Sequence, residues 1–195
     1  MEGTVATPRQ EGHPAMTGAV PVALVAIGAG AVVALLLGLY GSIHTPTGQT
    51  ITTLGFPSMT AMKVWLALVA GLLALVQVTT ALRMYGKLSR GQPPASRAVS
   101  ILHRASGTTA VVVSLPVAYS CLWSLGLQTY DTRVLVHSLA GCLFYGAFVT
   151  KMVGLHHRSA PGWLLPIAGG VVFSALIGVV LSSAVWYLVA YGPPS

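Results

Sequence analysis

The chain has 195 residues, of which 54% are hydrophobic and only 7% are charged. Soluble domains carry about 25% charged residues, so this composition predicts a protein that lies in a lipid bilayer. The net charge of +7 comes from ten basic residues spread over the connecting segments, not gathered in one stripe, which argues against nucleic-acid binding. Cys121 and Cys142 form no CxxC pair, so neither a zinc site nor a disulfide framework is indicated.

Five apolar runs are long enough to cross a bilayer, which takes about 20 residues each. They predict an all-α bundle of five transmembrane helices, with spans at about 20–40, 61–88, 96–127, 133–155 and 162–191. Residues 1–19 lack hydrophobic periodicity and are expected to form a disordered cytoplasmic tail. The first run is longer than a signal-peptide core and is expected to remain as a span.

Small residues recur at four-residue spacing in the first and the last run. The two stripes are Gly30, Ala34 and Gly38, and Gly170, Ser174, Gly178 and Ser182. Such stripes let another helix pack closely. Packing within the chain is the expected use, and docking to a second copy or a partner protein is the alternative.

The basic residues predict the orientation of the bundle. The connection between helices two and three holds Arg83, Lys87, Arg90, Arg97 and Arg104 with its flanks, whereas Lys63 and Arg133 mark the opposite side. Because positive charge stays on the cytoplasmic side, the N-terminus is expected inside and His44 outside. The predicted location is the plasma membrane, as a multi-pass protein.

Two histidines open the third and fourth runs with the same phrase. His103 is followed four residues later by Gly107, and His137 by Gly141. This spacing places each glycine one turn along on the histidine's face, which lets a flat group come close. If these runs form an antiparallel hairpin, residues whose numbers sum to about 258 lie at one depth. The two histidines are then too far apart to bind one metal ion, since a helix rises about 1.5 Å per residue.

Two separate haem sites therefore remain open, one near each face. The outer set is His137 with His44, and Arg133 for the haem propionates. The inner set is His103 with His156 or His157, and Arg97 or Arg104. The alternative is that these are ordinary interfacial histidines, and that the run 156–158 is a cationic helix end that favours the helix dipole.

Several phrases resemble a family of small actinobacterial five-helix membrane proteins of unknown function. They lie at 43–48, 61–67, 83–88, 102–107, 114–119 and 129–141. The segment Leu-His103-Arg104-Ala-Ser-Gly107 is also loosely similar to cytochrome b561 and ferric-reductase-like haem domains. That second resemblance implies b-type haem iron bound by His103 and His137. Those domains usually have two buried histidines on each of two helices, and this chain has one on each.

The first function predicted is a membrane redox subunit that binds haem b and passes electrons between a quinol pool and a partner. An iron–sulfur protein is the partner that the resemblance implies. The second prediction is a cofactor-free accessory subunit of a membrane complex, and the third is a transporter. Proton or sodium coupling usually needs a carboxylate within the spans, and Glu2, Glu11 and Asp131 all lie outside them.

Overall fold

The computed structural model describes residues 19–88 and 95–195, which contain helices and no strand. Within these ranges five helices are long and apolar enough to cross a membrane: α1 (Ala19–Ile43), α2 (Met59–Met84), α3 (Arg97–Leu125), α4 (Thr132–His156) and α5 (Leu164–Tyr191). The predicted all-α, five-helix fold class is thus confirmed. The tail predicted at 1–19 lies outside the described residues, except that Ala19 begins α1.

Local capping sets several helix ends. The hydroxyl of Ser58 accepts a hydrogen bond from the backbone N–H three residues on, at 3.1 Å, and begins α2. The carboxylate of Asp131 caps α4 in the same way, at 3.1 Å from the N–H two residues on. Helix α2 ends at Met84 instead of the predicted 88, because Gly86 adopts a positive φ of 69° that stops a helix.

The surface and the core have the distribution expected of a protein in lipid. Leu24, Leu35 and Leu72 have exposed fractions of 66%, 71% and 65%. Most of the buried apolar residues are alanines, such as Ala26 and Ala70. Large apolar side chains on the outside and small ones between the helices are typical of membrane bundles. The five helices are therefore compatible with a multi-pass membrane protein.

The order of the helices around the bundle differs from their order in the chain. Helix α1 packs on α4, α4 on α5, α5 on α2, and α2 on α3. Over their described lengths α3 and α4 do not pack closely on each other, although the sequence predicts them as a hairpin. Each is instead held by another neighbour, and a space remains between them. We call the end with residues 44–58 and 126–131 the upper end, and the end with residues 157–163 the lower end.

The closest helix contact joins α1 to α4 through glycines. A Cβ added to Gly146 would lie 2.6 Å from the carbonyl oxygen of Gly30 and 2.8 Å from Cβ of Ala34. On α5, Gly178 faces Ala140 of α4, with an added Cβ 3.9 Å from the alanine Cβ. Both small-residue stripes thus contribute to packing on α4 within this chain.

Two helices widen to π-helical turns near the upper end. These turns are Cys121–Leu125 in α3 and Leu181–Val185 in α5. The segment after α1 packs on the first of them, where the N–H of Gly48 donates to the carbonyl of Ser124 at 3.0 Å. π turns occur often at functional sites, because they place backbone and side-chain groups outside the regular helical pattern.

Candidate functional site: a cavity at the upper end of the bundle

A cavity of about 690 Å³ occupies the upper half of the bundle, in the space between α3 and α4. Helices α2 and α5 form its other walls. Its volume lies within the range of about 300–1,000 Å³ that is usual for small-molecule sites. The lining is mainly apolar, and its polar side chains are Thr60, Lys63, Ser114, Gln128, Tyr130, Arg133, His137, Ser138, Tyr145, Ser183 and Tyr187.

The lower limit of the cavity is a hydrogen bond across the gap between α3 and α4. The hydroxyl groups of Ser114 and Tyr145 lie 2.8 Å apart. Ser114 is buried, and its hydroxyl also donates to the carbonyl of Val111 at 2.7 Å. Tyr145 must therefore donate to Ser114, because the serine proton is already used. This pair bridges the two helices below the cavity.

The wall beside His137 includes a glycine that leaves space. Gly141 lies one turn along α4 from His137 and lines the cavity. A Cβ added there would meet no heavy atom within 4 Å. The His-Gly spacing read from the sequence thus corresponds, on α4, to a histidine next to open space in the cavity wall.

His137 is held by α5. Its Nδ1 lies 3.2 Å from the hydroxyl oxygen of Ser182, at the π turn of that helix. The Ser182 hydroxyl donates to the carbonyl of Gly178 at 2.6 Å, so it accepts a hydrogen bond from Nδ1 of the imidazole. This partner selects the tautomer that carries its proton on Nδ1, which leaves Nε2 as the basic nitrogen of the neutral ring.

Arg133 lies one turn before His137 and is fully engaged. Its Nη1 donates to the carbonyl of Ser182 at 2.8 Å, and its Nε lies 3.7 Å from the carboxylate of Asp131. The guanidinium carbon sits 3.6 Å from the ring centroid of Trp186, in a cation–π contact. These contacts fix a positive charge at the upper rim of the cavity.

Lys63 brings a second positive charge from α2 and is half-buried. It lines the same cavity as His137 of α4 and Cys121 of α3. In the described part of the chain it forms no ion pair, since the carboxylate of Asp131 is bound to Arg133. In the sequence Lys63 serves only to mark the less basic side of the bundle, and the structure places it in the cavity lining.

His44 occupies a different environment from His137. Its ring stacks between those of Tyr40 and Trp123, with centroid distances of 4.9 Å to each. Its Nε2 lies 3.2 Å from the carbonyl oxygen of Trp123. His44 is not part of the cavity lining, so the structure does not bring the two predicted outer histidines together at the cavity.

The predicted inner residues are also separate. Nδ1 of His103 lies 2.8 Å from the hydroxyl of Thr80 on α2, and its carbonyl accepts from the side chain of Gln77. Nδ1 of His156 is exposed at the end of α4 and lies 2.8 Å from the carbonyl of Met152. Arg104 is exposed too and donates to Ser100 on its own helix. His103 thus faces α2, whereas His156 bonds to its own backbone.

Side chains that bind metal ions are scattered in this bundle. Within 19–88 and 95–195 there is no group of three or more His, Cys, Asp or Glu side chains that could hold a metal ion. A haem iron needs fewer protein ligands, because the porphyrin supplies four nitrogens. The cavity offers one imidazole, His137, and two cations, Lys63 and Arg133. A haem would require at least one such imidazole for its iron and a cation for its propionates, and the lining contains both.

Sequence reasoning missed Ser114 and Tyr145, and it did not connect Lys63 or Ser182 with the site. In an antiparallel hairpin, residues of α3 and α4 whose numbers sum to about 258 lie at one depth. This depth rule could have paired Ser114 with Tyr145. No sequence signal shows that Ser182 bonds to His137, since that contact depends on how α5 packs on α4.

A family model matches residues 11–195 and is described as a family of unknown function, DUF6529. The chain belongs to this family. No curated protein and no solved structure matches the chain. The membership agrees with the predicted family of unknown function and assigns no activity.

Proposed function

We propose that this protein is an integral redox subunit of the cell membrane that holds haem b in the upper cavity. In this role it passes electrons between a membrane quinol pool and a partner such as an iron–sulfur protein. The observation that carries the proposal is the position of His137, an oriented imidazole in the wall of a mainly apolar cavity of about 690 Å³.

The residues of the cavity have distinct roles in this proposal. His137 would bind the iron, and Ser182 orients its ring, as hydrogen-bonded partners of metal-binding histidines generally do. Lys63 would hold a propionate, and Arg133, already bound to Ser182, Asp131 and Trp186, would add positive charge nearby. The haem would supply one-electron chemistry, and the apolar walls would exclude water and help to set its potential. A single haem is proposed, because His137 is the one histidine in the cavity lining.

We also propose that the upper end faces outward and that the lower end is cytoplasmic. Arg83, Lys87 and Arg97 lie near the lower end of α2 and α3, and basic residues favour the cytoplasmic side. Quinol would then reach the subunit within the bilayer, and the partner would meet its outer surface. In the small-residue stripes Gly30 and Gly178 pack on α4, whereas a Cβ added to Gly170 would meet no heavy atom within 4 Å.

Absorption spectroscopy of the purified protein, oxidised and reduced, tests the proposal. Protein from a haem-replete host is expected to show the absorption bands of haem b, with a Soret band that moves to longer wavelength on reduction. His137→Ala should lose the bands, whereas His103→Ala should retain them, because His103 faces α2 outside the cavity. A colourless wild-type protein would refute the haem proposal.

A further inference from the structure

The upper cavity is mainly apolar along its length and positively charged at one end. On α2, Lys63 and Ala70 both line it, and their separation of seven positions corresponds to a depth of about 10 Å. On α4 the lining runs from Arg133 to Tyr145. No carboxylate side chain lies in the lining, which consists of described residues. A ligand that fits this distribution has an apolar body and a negative head.

The two cations at this end are not equivalent. Arg133 already has three partners, in Ser182, Asp131 and Trp186. Lys63 has no ion pair in the described part of the chain and is half-buried. A partly buried ammonium without an anionic partner is costly, and a bound carboxylate would relieve that cost. The charge available to a ligand is therefore that of Lys63.

We infer that the upper cavity is a site for a carboxylate-bearing amphiphile and that Lys63 binds its carboxylate. The apolar body extends between α3 and α4 toward the Ser114–Tyr145 hydrogen bond. The carboxylate comes either from haem propionates or from a single-chain lipid such as a fatty acid. This inference goes beyond the proposed redox role, because it holds whichever of these two sources fills the cavity.

A spin-labelled fatty acid tests the lipid source in haem-free protein. The probes are 16-doxyl-stearic acid and its uncharged methyl ester, added at pH 8 to the protein in phosphatidylcholine nanodiscs, with the immobilised fraction measured by electron paramagnetic resonance. The acid should bind about tenfold more tightly than the ester, as a charge-assisted hydrogen bond implies. Lys63→Gln should abolish this preference and Lys63→Arg should keep it. Lys87→Gln, at an exposed lysine near the lower end, is the matched control and should keep it too.

If the purified protein carries haem, the same variant tests the other source. Lys63→Gln should then move the haem reduction potential to more negative values, because a cation near the propionates is lost. Equal binding of acid and ester to haem-free protein, or a preference that survives Lys63→Gln, would overturn the inference. So would an unchanged potential in haem-bearing protein. A colourless protein that prefers the acid would refute the redox proposal and support this one.

Discussion

The hydroxyl groups of Ser114 on α3 and Tyr145 on α4 lie 2.8 Å apart and join two helices that otherwise do not pack closely. Because Ser114 donates to its own helix, Tyr145 is the donor of this bond. The bond closes the lower end of the cavity and fixes the distance between its two side walls. The cavity is thus a space between two helices that are joined below it by this hydrogen bond, which we call the tie.

Tyr145→Phe removes the hydroxyl group that forms this hydrogen bond and keeps the aromatic ring. Hydrogen bonds between membrane helices contribute about 0.6 kcal/mol on average and up to about 1.7 kcal/mol. We expect the free energy of unfolding in mixed detergent micelles to fall by about 1 kcal/mol. Tyr119→Phe is the control, since Tyr119 is 48% exposed and its ring stacking on Trp123 does not need the hydroxyl. Equal effects of the two substitutions would contradict the role of the tie.

The sequence predicts the fold of this protein better than it predicts the candidate site. Run length and composition suffice for five helices, because a bilayer demands about 20 apolar residues per span. The depth rule predicts that Ser114 and Tyr145 lie at one level. The gap between α3 and α4 could not be predicted, because it depends on which neighbours each helix packs against: α4 packs on α1 and α5, and α3 packs on α2.

The site was only partly predictable for the same reason. His137 and Arg133 stand out in the sequence as a histidine and a cation one turn apart on an apolar helix. The partners that give them their geometry, Ser182 and Trp186, lie on α5 about 50 residues away in sequence. His44 has a suitable position in the sequence, but its ring is stacked between Tyr40 and Trp123. Which residues become partners depends on tertiary packing, and the local sequence contains no pattern that predicts it.

Because α1 and α4 are in close contact, adding one methyl group at Gly146 should lower the stability of the bundle strongly. Gly146→Ala would place a Cβ 2.6 Å from the carbonyl oxygen of Gly30, which forces the helices apart. We expect a loss of about 1–3 kcal/mol in the free energy of unfolding, typical of overpacking. Gly28→Ala is the control on α1, because its added Cβ meets nothing within 4 Å. If thermal unfolding in detergent gave the same midpoint for both, the close contact would not exist.

The hydrogen bond between His103 and Thr80 predicts a structural role for His103. Thr80→Val keeps the side-chain shape and removes the hydroxyl that lies 2.8 Å from Nδ1 of His103. We expect the unfolding free energy to fall by about 0.5–1.5 kcal/mol, with unchanged haem bands. Thr79→Val is the neighbouring control, because the Thr79 hydroxyl bonds only to carbonyls of α2. Loss of the haem bands in Thr80→Val would instead make His103 part of the cofactor site.

The proposed orientation predicts which positions a membrane-impermeant thiol reagent reaches in whole cells. Thr50→Cys, exposed near the upper end, should be labelled from outside. Ser159→Cys, exposed near the lower end, should be labelled only after the membrane is permeabilised. Wild-type protein, which carries Cys121 and Cys142, gives the background. The reverse pattern would invert the topology.

The central claim is that the upper cavity holds a ligand, and native mass spectrometry of protein released from bilayer nanodiscs tests it most directly. Gly141→Leu fills open space in the cavity wall, because an added Cβ there meets no heavy atom within 4 Å. Gly28→Leu adds the same side chain to open space on α1, away from the cavity. We predict that wild type and Gly28→Leu carry one bound mass beyond the polypeptide and that Gly141→Leu carries none. The same bound mass on Gly141→Leu, or none on wild type, would contradict the claim.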